Sequence, residues 1–279
     1  MPSASSQAKQ IGDMALKSQI WAIVTRIDNP AKPGEFTTIS PGNKLVIIDI
    51  IVGNDSDQSI SVSASDSTLV DVDGLAVKDS LFAANHRIIS TRLSKGERAQ
   101  GEIAFEVPAS YKPALLRLRT SFFGGTVLEM GLAAPALPPR IQLPPRTRPA
   151  YPKSGETAEA QGYTLSAVGL EPVAKPGILY LVKKGYKLVG VEIVVGNTKA
   201  DSASVNELNA SIVDTRGFVW PMELAGRDGK GLDAGKIGKG ERMRGWVAFE
   251  MPDDAIPDAV RYDAGGLFDS IVLYAGVSK

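Results

Sequence analysis

The sequence predicts an all-β protein: two tandem immunoglobulin-like antiparallel β-sandwiches joined by a Pro-rich linker. Three observations carry that prediction. The run from Lys44 to Asn54 is long, apolar and β-branched and ends in Gly-Asn, which reads as a central buried strand entering a turn. The chain writes it a second time from Lys187 to Asn197, at an offset of 143 residues. Short strands separated by turn residues fill the rest of each copy, with no convincing amphipathic helix.

The register set by the two long strands extends well beyond them. Gly12 falls on Gly155, Ala31-Lys32-Pro33-Gly34 on Ala174-Lys175-Pro176-Gly177, Asp71 on Asp214 and Gly74 on Gly217. After one inserted residue, Lys95-Gly96-Glu97-Arg98 meets Lys239-Gly240-Glu241-Arg242, and the match continues to Pro108 and Pro252. A register kept over about 95 residues with one slip signifies duplication of a whole domain. The expected organisation is a flexible tail over 1–11, a first sandwich over 12–133, a linker over 134–153 and a second sandwich over 154–279.

Taken in order, the elements of each copy are these. The polar, Ser-rich start reads as a frayed tail or tether. It lacks the apolar middle of a secretory signal, so the chain is cytoplasmic or an exported one shorn of its leader. A first strand, Ile20 to Ile27 or Tyr163 to Leu170, precedes the Ala-Lys-Pro-Gly turn, where Pro presets φ. The long strand follows. Ser59 to Ala64 alternates with period two, and Val-Asp-x-x-Gly at Asp71 to Gly74 is a turn. The Lys-Gly-Glu-Arg turn feeds Gly101 to Pro108, matched by Trp246 to Pro252. Final strands lie near Leu115 to Leu118 and Thr126 to Leu132, echoed by Ala259 to Tyr262 and Ser270 to Val277. That makes about seven strands per copy, with a turn of helix invited only before Gly12 and at Asp254 to Asp258. The linker is too rich in proline for strand or helix and favours polyproline II, either as a spacer or as a strap laid along one domain.

The assembled pattern resembles the Ig-like domains of unknown function found in bacterial and archaeal cell-surface lipoproteins, related to the mycobacterial immunoprotective extracellular antigen. The long strand ending in Gly-Asn, the Asp-x-x-Gly turn and Lys-Gly-Glu-Arg-x-x-Gly-x-x-Ala-Phe-Glu-x-Pro at Lys95 to Pro108 and Lys239 to Pro252 carry the resemblance. It implies a sandwich, export and membrane anchorage, and it supplies no catalytic residues. The chain departs from the pattern in having no lipid-accepting cysteine.

Composition narrows the function classes. With 31 basic and 31 acidic side chains the formal net charge is zero, so no global field draws in nucleic acid or an acidic membrane. The absence of cysteine removes disulfides, thiolate metal sites and cysteine nucleophiles together. No apolar run approaches the roughly 20 residues that span a bilayer. His86 is the sole histidine; no Gly-x-Ser-x-Gly elbow accompanies it, so it reads as a loop or edge-strand residue.

Candidate sites are weak and compete with plain structural readings. The glycine-rich stretch from Gly226 to Gly240 has no P-loop spacing and reads as a mobile hairpin loop, or as an anion site built from Arg227, Lys230, Lys236 and Lys239. Trp220 is a binding candidate that also suits core packing. Asp71, Asp73 and Asp214 are possible calcium ligands, although aspartate in turns normally bonds its own backbone. Glu97 and Glu106 recur as Glu241 and Glu250 and read as turn and solvated-face residues. Pro135-x-x-Pro138-x-Arg140 fits an SH3-ligand pattern that any Pro/Arg linker produces by chance. Asn54 and Asn209 stand in formal glycosylation acceptors. The reading favoured is a non-enzymatic extracytoplasmic binding or structural protein without a cofactor. Its loops or sheet edges would meet a protein, a glycan or another copy of itself. The rival is a small-ligand carrier or enzyme with a site at the domain junction, near Tyr151, Tyr180, Trp220 and Arg227.

Overall fold

A computed structural model describes residues 8–33, 37–80, 87–88, 90–120, 125–137, 139–173, 180–199, 201–225, 230–265 and 271–277. The chain divides into two compact units, Met1–Arg146 and Thr147–Lys279. Each is an immunoglobulin-like β-sandwich, almost wholly antiparallel.

In the first unit the strands are β1 (Ala8–Gln10), β2 (Met14–Lys17), β3 (Ile20–Ala31), β4 (Asn43–Asn54), β5 (Ile60–Val62), β6 (Ser67–Asp71), β7 (Ala76–Lys78), β8 (Thr91–Leu93), β9 (Glu97–Pro108), β10 (Pro113–Arg119) and β11 (Val127–Ala133). One layer runs β2-β3-β4-β9, the other β1-β11-β10-β6-β7, with β5-β8 as a separate ribbon. The long strand β4 is central, paired on both sides over nearly its whole length. Its alternation buries Ile48, Ile50 and Val52 on one face, beside their cross-strand neighbours Ala22 and Val24 of β3 and Ile103 of β9.

The second unit contains β12 (Ala158–Ala160), β13 (Tyr163–Pro172), β14 (Tyr186–Asn197), β15 (Ala203–Val205), β16 (Ala210–Asp214), β17 (Val219–Glu223), β18 (Gly235–Ile237), β19 (Arg242–Pro252), β20 (Pro257–Asp263) and β21 (Val272–Gly276). Its layers are β12-β13-β14-β19 and β17-β16-β20-β21. Strand β17 bonds to both β16 and β19 and so joins the layers into one folded sheet. The strands beyond the expected seven are mostly three-residue pieces, too short to show a period in sequence.

Three expectations change. Residues 8–10, read as tail, form β1, which pairs in parallel with β11. No helical turn forms over residues 8–11 or 254–258; among the described residues the only helical turns are 3-10, at Ala64–Asp66 and Glu207–Asn209. The proline-rich stretch divides, residues up to 146 lying with the first unit and those from 147 with the second. Within the second unit Arg148 binds the buried Asp258 through two nitrogens, Gly276 N–H donates to the Pro152 carbonyl at 2.8 Å, and Tyr151 stacks on Tyr274 at 5.4 Å.

The glycine-rich stretch is pinned where it is described. Leu232 is buried, its N–H donates to Trp246 O at 3.1 Å, and Trp246 N–H donates back to Lys230 O at 2.9 Å. Gly245 permits this approach, because a Cβ there would lie 2.4 Å from Leu232 Cα and 2.6 Å from Gly231 O. Gly245→Ala is therefore expected to cost about 1–3 kcal/mol through overpacking. A melting temperature unchanged by the substitution would contradict that packing.

Candidate functional site

The polar residues that the two copies share hold backbone, and they do so in the same way twice. Asn54 donates from Nδ2 to Gln58 O and Leu93 O at 2.8 and 2.9 Å, while its Oδ1 accepts from Ser56 N–H at 3.0 Å. Asn197 repeats the set on Asp201 O, Ile237 O and Lys199 N–H. Both are buried, which leaves no amide on Asn54 for a glycan.

Asp71 Oδ1 accepts from the N–H groups of Asp73 and Leu75 at 3.0 and 2.8 Å. Asp214 Oδ1 accepts from those of Arg216 and Phe218 at 2.8 and 3.0 Å, and its Oδ2 accepts from Trp220 Nε1 at 3.4 Å. The turns close through Gly74 and Gly217, at φ of 85° and 91°, where a side chain would be strained. The two shared carboxylates, Asp71 and Asp214, thus cap their own turns, and Asp73 gives its N–H to the first of them. Among the described residues no group of three or more His, Asp or Glu is placed to hold a metal ion.

The paired glutamates also clamp loops, and two of the four, Glu97 and Glu250, are buried, which corrects their reading as turn and solvated-face residues. Glu97 Oε2 accepts from Ser94 N–H and Glu241 Oε2 from Gly238 N–H, both at 2.6 Å. Glu106 Oε1 accepts from Ser40 N–H at 2.9 Å, and Glu250 Oε1 from Lys183 N–H at 2.9 Å. Asn43 and Ser40 hold the Glu106 carboxyl below its ordinary pKa.

Trp220 is buried at 7% exposure, against Tyr186, Phe218 and Asp214, and offers no open binding face. Lys230, Lys236 and Lys239 are exposed, Lys236 on β18 and Lys239 in the following turn. Arg227 and His86 lie outside the described residues, as does Pro138 of the linker motif.

Around Glu250 the second copy adds groups that the first lacks. Tyr180 Oη donates to Glu250 Oε2, and Lys183 Nζ stands 4.0 Å from the same oxygen. Burial, then the bond to Glu250, pushes the Tyr180 hydroxyl far up. Burial raises the half-buried Glu223 carboxyl; Lys183 opposes this and the charge of Glu250 adds to it. A carboxyl raised in the folded state destabilises the fold above its folded pKa, and this cost vanishes below the unfolded value near 4.3. Glu223→Gln is thus expected to raise the melting temperature at neutral pH, with the gain gone below about pH 4. An equal gain at both pH values would show that the carboxyl's charge is not the cause.

The copies differ in a row of three cross-strand neighbours. In the first unit Trp21 pairs with Gly53, and Gly53 with Arg98. The indole lies flat on the glycine, where a Cβ would be 2.1 Å from Cζ2, and it is 1% exposed. Its Nε1 donates to Asp55 Oδ2 at 2.9 Å, and the Arg98 guanidinium lies 5.4 Å over the ring. In the second unit the row is Thr164, Gly196 and Arg242, and Thr198 replaces Asp55. Thr164 Oγ1 lies over Gly196, 2.4 Å from where a Cβ would be, and in place of the indole's bulk a pocket of about 100 Å³ opens beside it, lined by Thr157, Thr164, Ser166, Thr198 and Arg242 among others. Sequence reasoning missed this site; its signal was the Trp21/Thr164 difference inside an otherwise kept register.

No curated protein matches the sequence. Solved structures resembling it include the yjhA protein of Bacillus subtilis, at 16% identity and a TM-score of 0.37, covering 46% of this chain and 99% of that one. The secreted protein MPT63 of Mycobacterium tuberculosis gives 14% identity and a TM-score of 0.36 over 46% and 99%. A β-sandwich protein of Clostridium difficile gives 10% identity and a TM-score of 0.28 over 49% and 100%. Residues 9–128 and again 153–270 match the model of a domain of unknown function, DUF4352, and the chain belongs to that family, with two copies of its domain in tandem.

Proposed function

We propose that this chain is a non-enzymatic, extracytoplasmic binding or structural protein of the cell envelope, presenting its loops or sheet edges to a protein, a glycan or another copy of itself. One observation supports it above the rest: Asn54/Asn197, Asp71/Asp214, Glu97/Glu241 and Glu106/Glu250 all end on backbone groups of their own unit. The duplicated polar side chains thus hold a scaffold, and the surface is left to diverge. The kinship with domains of cell-surface lipoproteins supports the location. Among the described residues no helix is long and apolar enough to cross a membrane.

A membrane-impermeant amine reagent applied to intact cells tests the location, since the exposed lysines should be labelled without lysis. Labelling only after lysis would refute the placement. A thermal-shift panel of glycans and nucleotides tests the binding role. A nucleotide that raises the melting temperature and is turned over would overturn the non-enzymatic reading.

A further inference from the structure

The row over Gly53 and its counterpart over Gly196 differ also in what covers them. In the first sandwich the proline-rich stretch after β11 lies along the site. Pro139 packs on Gly12, where a Cβ would come within 2.4 Å of the Pro139 Cβ. The Pro144 carbonyl accepts from Arg98 Nη2, and Arg146 Nε donates to the Gly96 carbonyl at 3.1 Å. Beneath this strap the Arg98 guanidinium covers the Trp21 ring.

The corresponding points of the second sandwich are open. A Cβ on Gly155 would meet nothing within 4 Å. Gly240 is exposed where Gly96 is half-buried, and Glu241 is exposed where Glu97 is buried. Arg98 is 5% exposed, whereas Arg242 is exposed and its side chain has no hydrogen-bond or ion-pair partner among the described residues. In the first copy this groove is closed by an indole and a proline-rich strap; among the described residues of the second, Thr164 stands in place of the indole and Arg242 is exposed.

We propose that this groove of the second sandwich docks an extended, proline-rich segment of a partner protein that carries an aromatic side chain. The inference rests on the binding role proposed above and names its ligand. A polyproline II segment makes no internal hydrogen bonds and turns its carbonyls outward, so one of them can accept from Arg242 as Pro144 O accepts from Arg98. The pocket of about 100 Å³ beside Gly196 opens to solvent and approaches in scale the cavity of about 150 Å³ that holds a benzene ring. A ring entering it lies under the Arg242 guanidinium, as Trp21 lies under Arg98. The Thr198 hydroxyl, which donates to Glu159 Oε1 at 3.3 Å, keeps its oxygen to accept from a ring N–H, the role that Asp55 fills for Trp21.

Fluorescence anisotropy on the full chain tests this with two labelled peptides: the chain's own sequence over 137–148, and the same peptide with Trp in place of Leu143. The tryptophan peptide is expected to bind saturably and about tenfold more tightly, the scale of a ring beneath a desolvated guanidinium. Arg242→Ala should weaken that binding at least about tenfold, the loss of a charged donor to a carbonyl. Thr164→Trp should cancel the advantage of the tryptophan peptide by filling the pocket from within. Equal affinity for the two peptides, binding unaffected by both substitutions, or no saturation at millimolar peptide would each overturn the proposal. Silent peptides beside a glycan that raises the melting temperature would overturn the peptide ligand and leave the binding role standing. Silence from every ligand would count against both.

Discussion

Asp214→Ala is expected to destabilise the second sandwich by about 3 kcal/mol, the cost of leaving several buried donors without their charged acceptor. Asp214 is fully buried and serves two backbone N–H groups and the Trp220 indole. Arg216 adds an ion pair at 3.6 Å from its own half-exposed side chain. Alanine leaves the Phe218 and Trp220 donors inside a turn to which water has little access. Asp71 serves two N–H groups from a half-buried position, so Asp71→Ala should cost the first sandwich only about 1 kcal/mol. Urea unfolding followed by a probe in each unit checks the contrast. Equal effects at the two positions would mean that burial does not set the cost.

Trp21→Thr, which gives the first unit the residue found at position 164, is expected to cost about 3–5 kcal/mol, the range for deleting a large buried aromatic. The indole is 1% exposed and fills the space above Gly53 completely enough that no Cβ fits there. Arg98 would lose its ring and keep Pro144 O. Thr164→Trp in the second unit has no such cost to recover, because the pocket there already stands open. A loss below about 1 kcal/mol on Trp21→Thr would mean that the site collapses around the smaller residue.

The sandwich and its doubling were legible because they depend on residues with strong periodic or turn signatures. The Lys44 to Asn54 run and its copy became β4 and β14, and the Asp-x-x-Gly turns closed as read. The hold of Glu106 and Glu250 on loop backbone was not legible in sequence, for a geometric reason. Alternation along β9 and β19 turns them away from the core, but the backbone at Ser40 and Lys183 folds back onto that face and takes their oxygens. Strand β1 has no apolar period and is held by its pairing to β11, a long-range fact. Leu232 and Ile237 are the large apolar residues amid the glycines of 226–240, and their burial, Leu232 against β19 and Ile237 on β18, fixes the described part of a stretch whose composition suggests a mobile loop. The groove was hidden for another reason. A register is read from what matches, while the site lies where Trp21 and Thr164 do not, beside partners that only strand pairing reveals.

The central claim is that the polar residues common to both copies are clamps on loop backbone. Amide hydrogen exchange, resolved residue by residue on the full chain, tests it most directly. The N–H groups of Ser40, Leu75 and Ser94, and of Lys183, Phe218 and Gly238, all donate to clamp carboxylates. They are predicted to exchange far more slowly than the other amides of the same loops, in both copies alike. Exchange of these six at the rate of open loop amides would contradict the account.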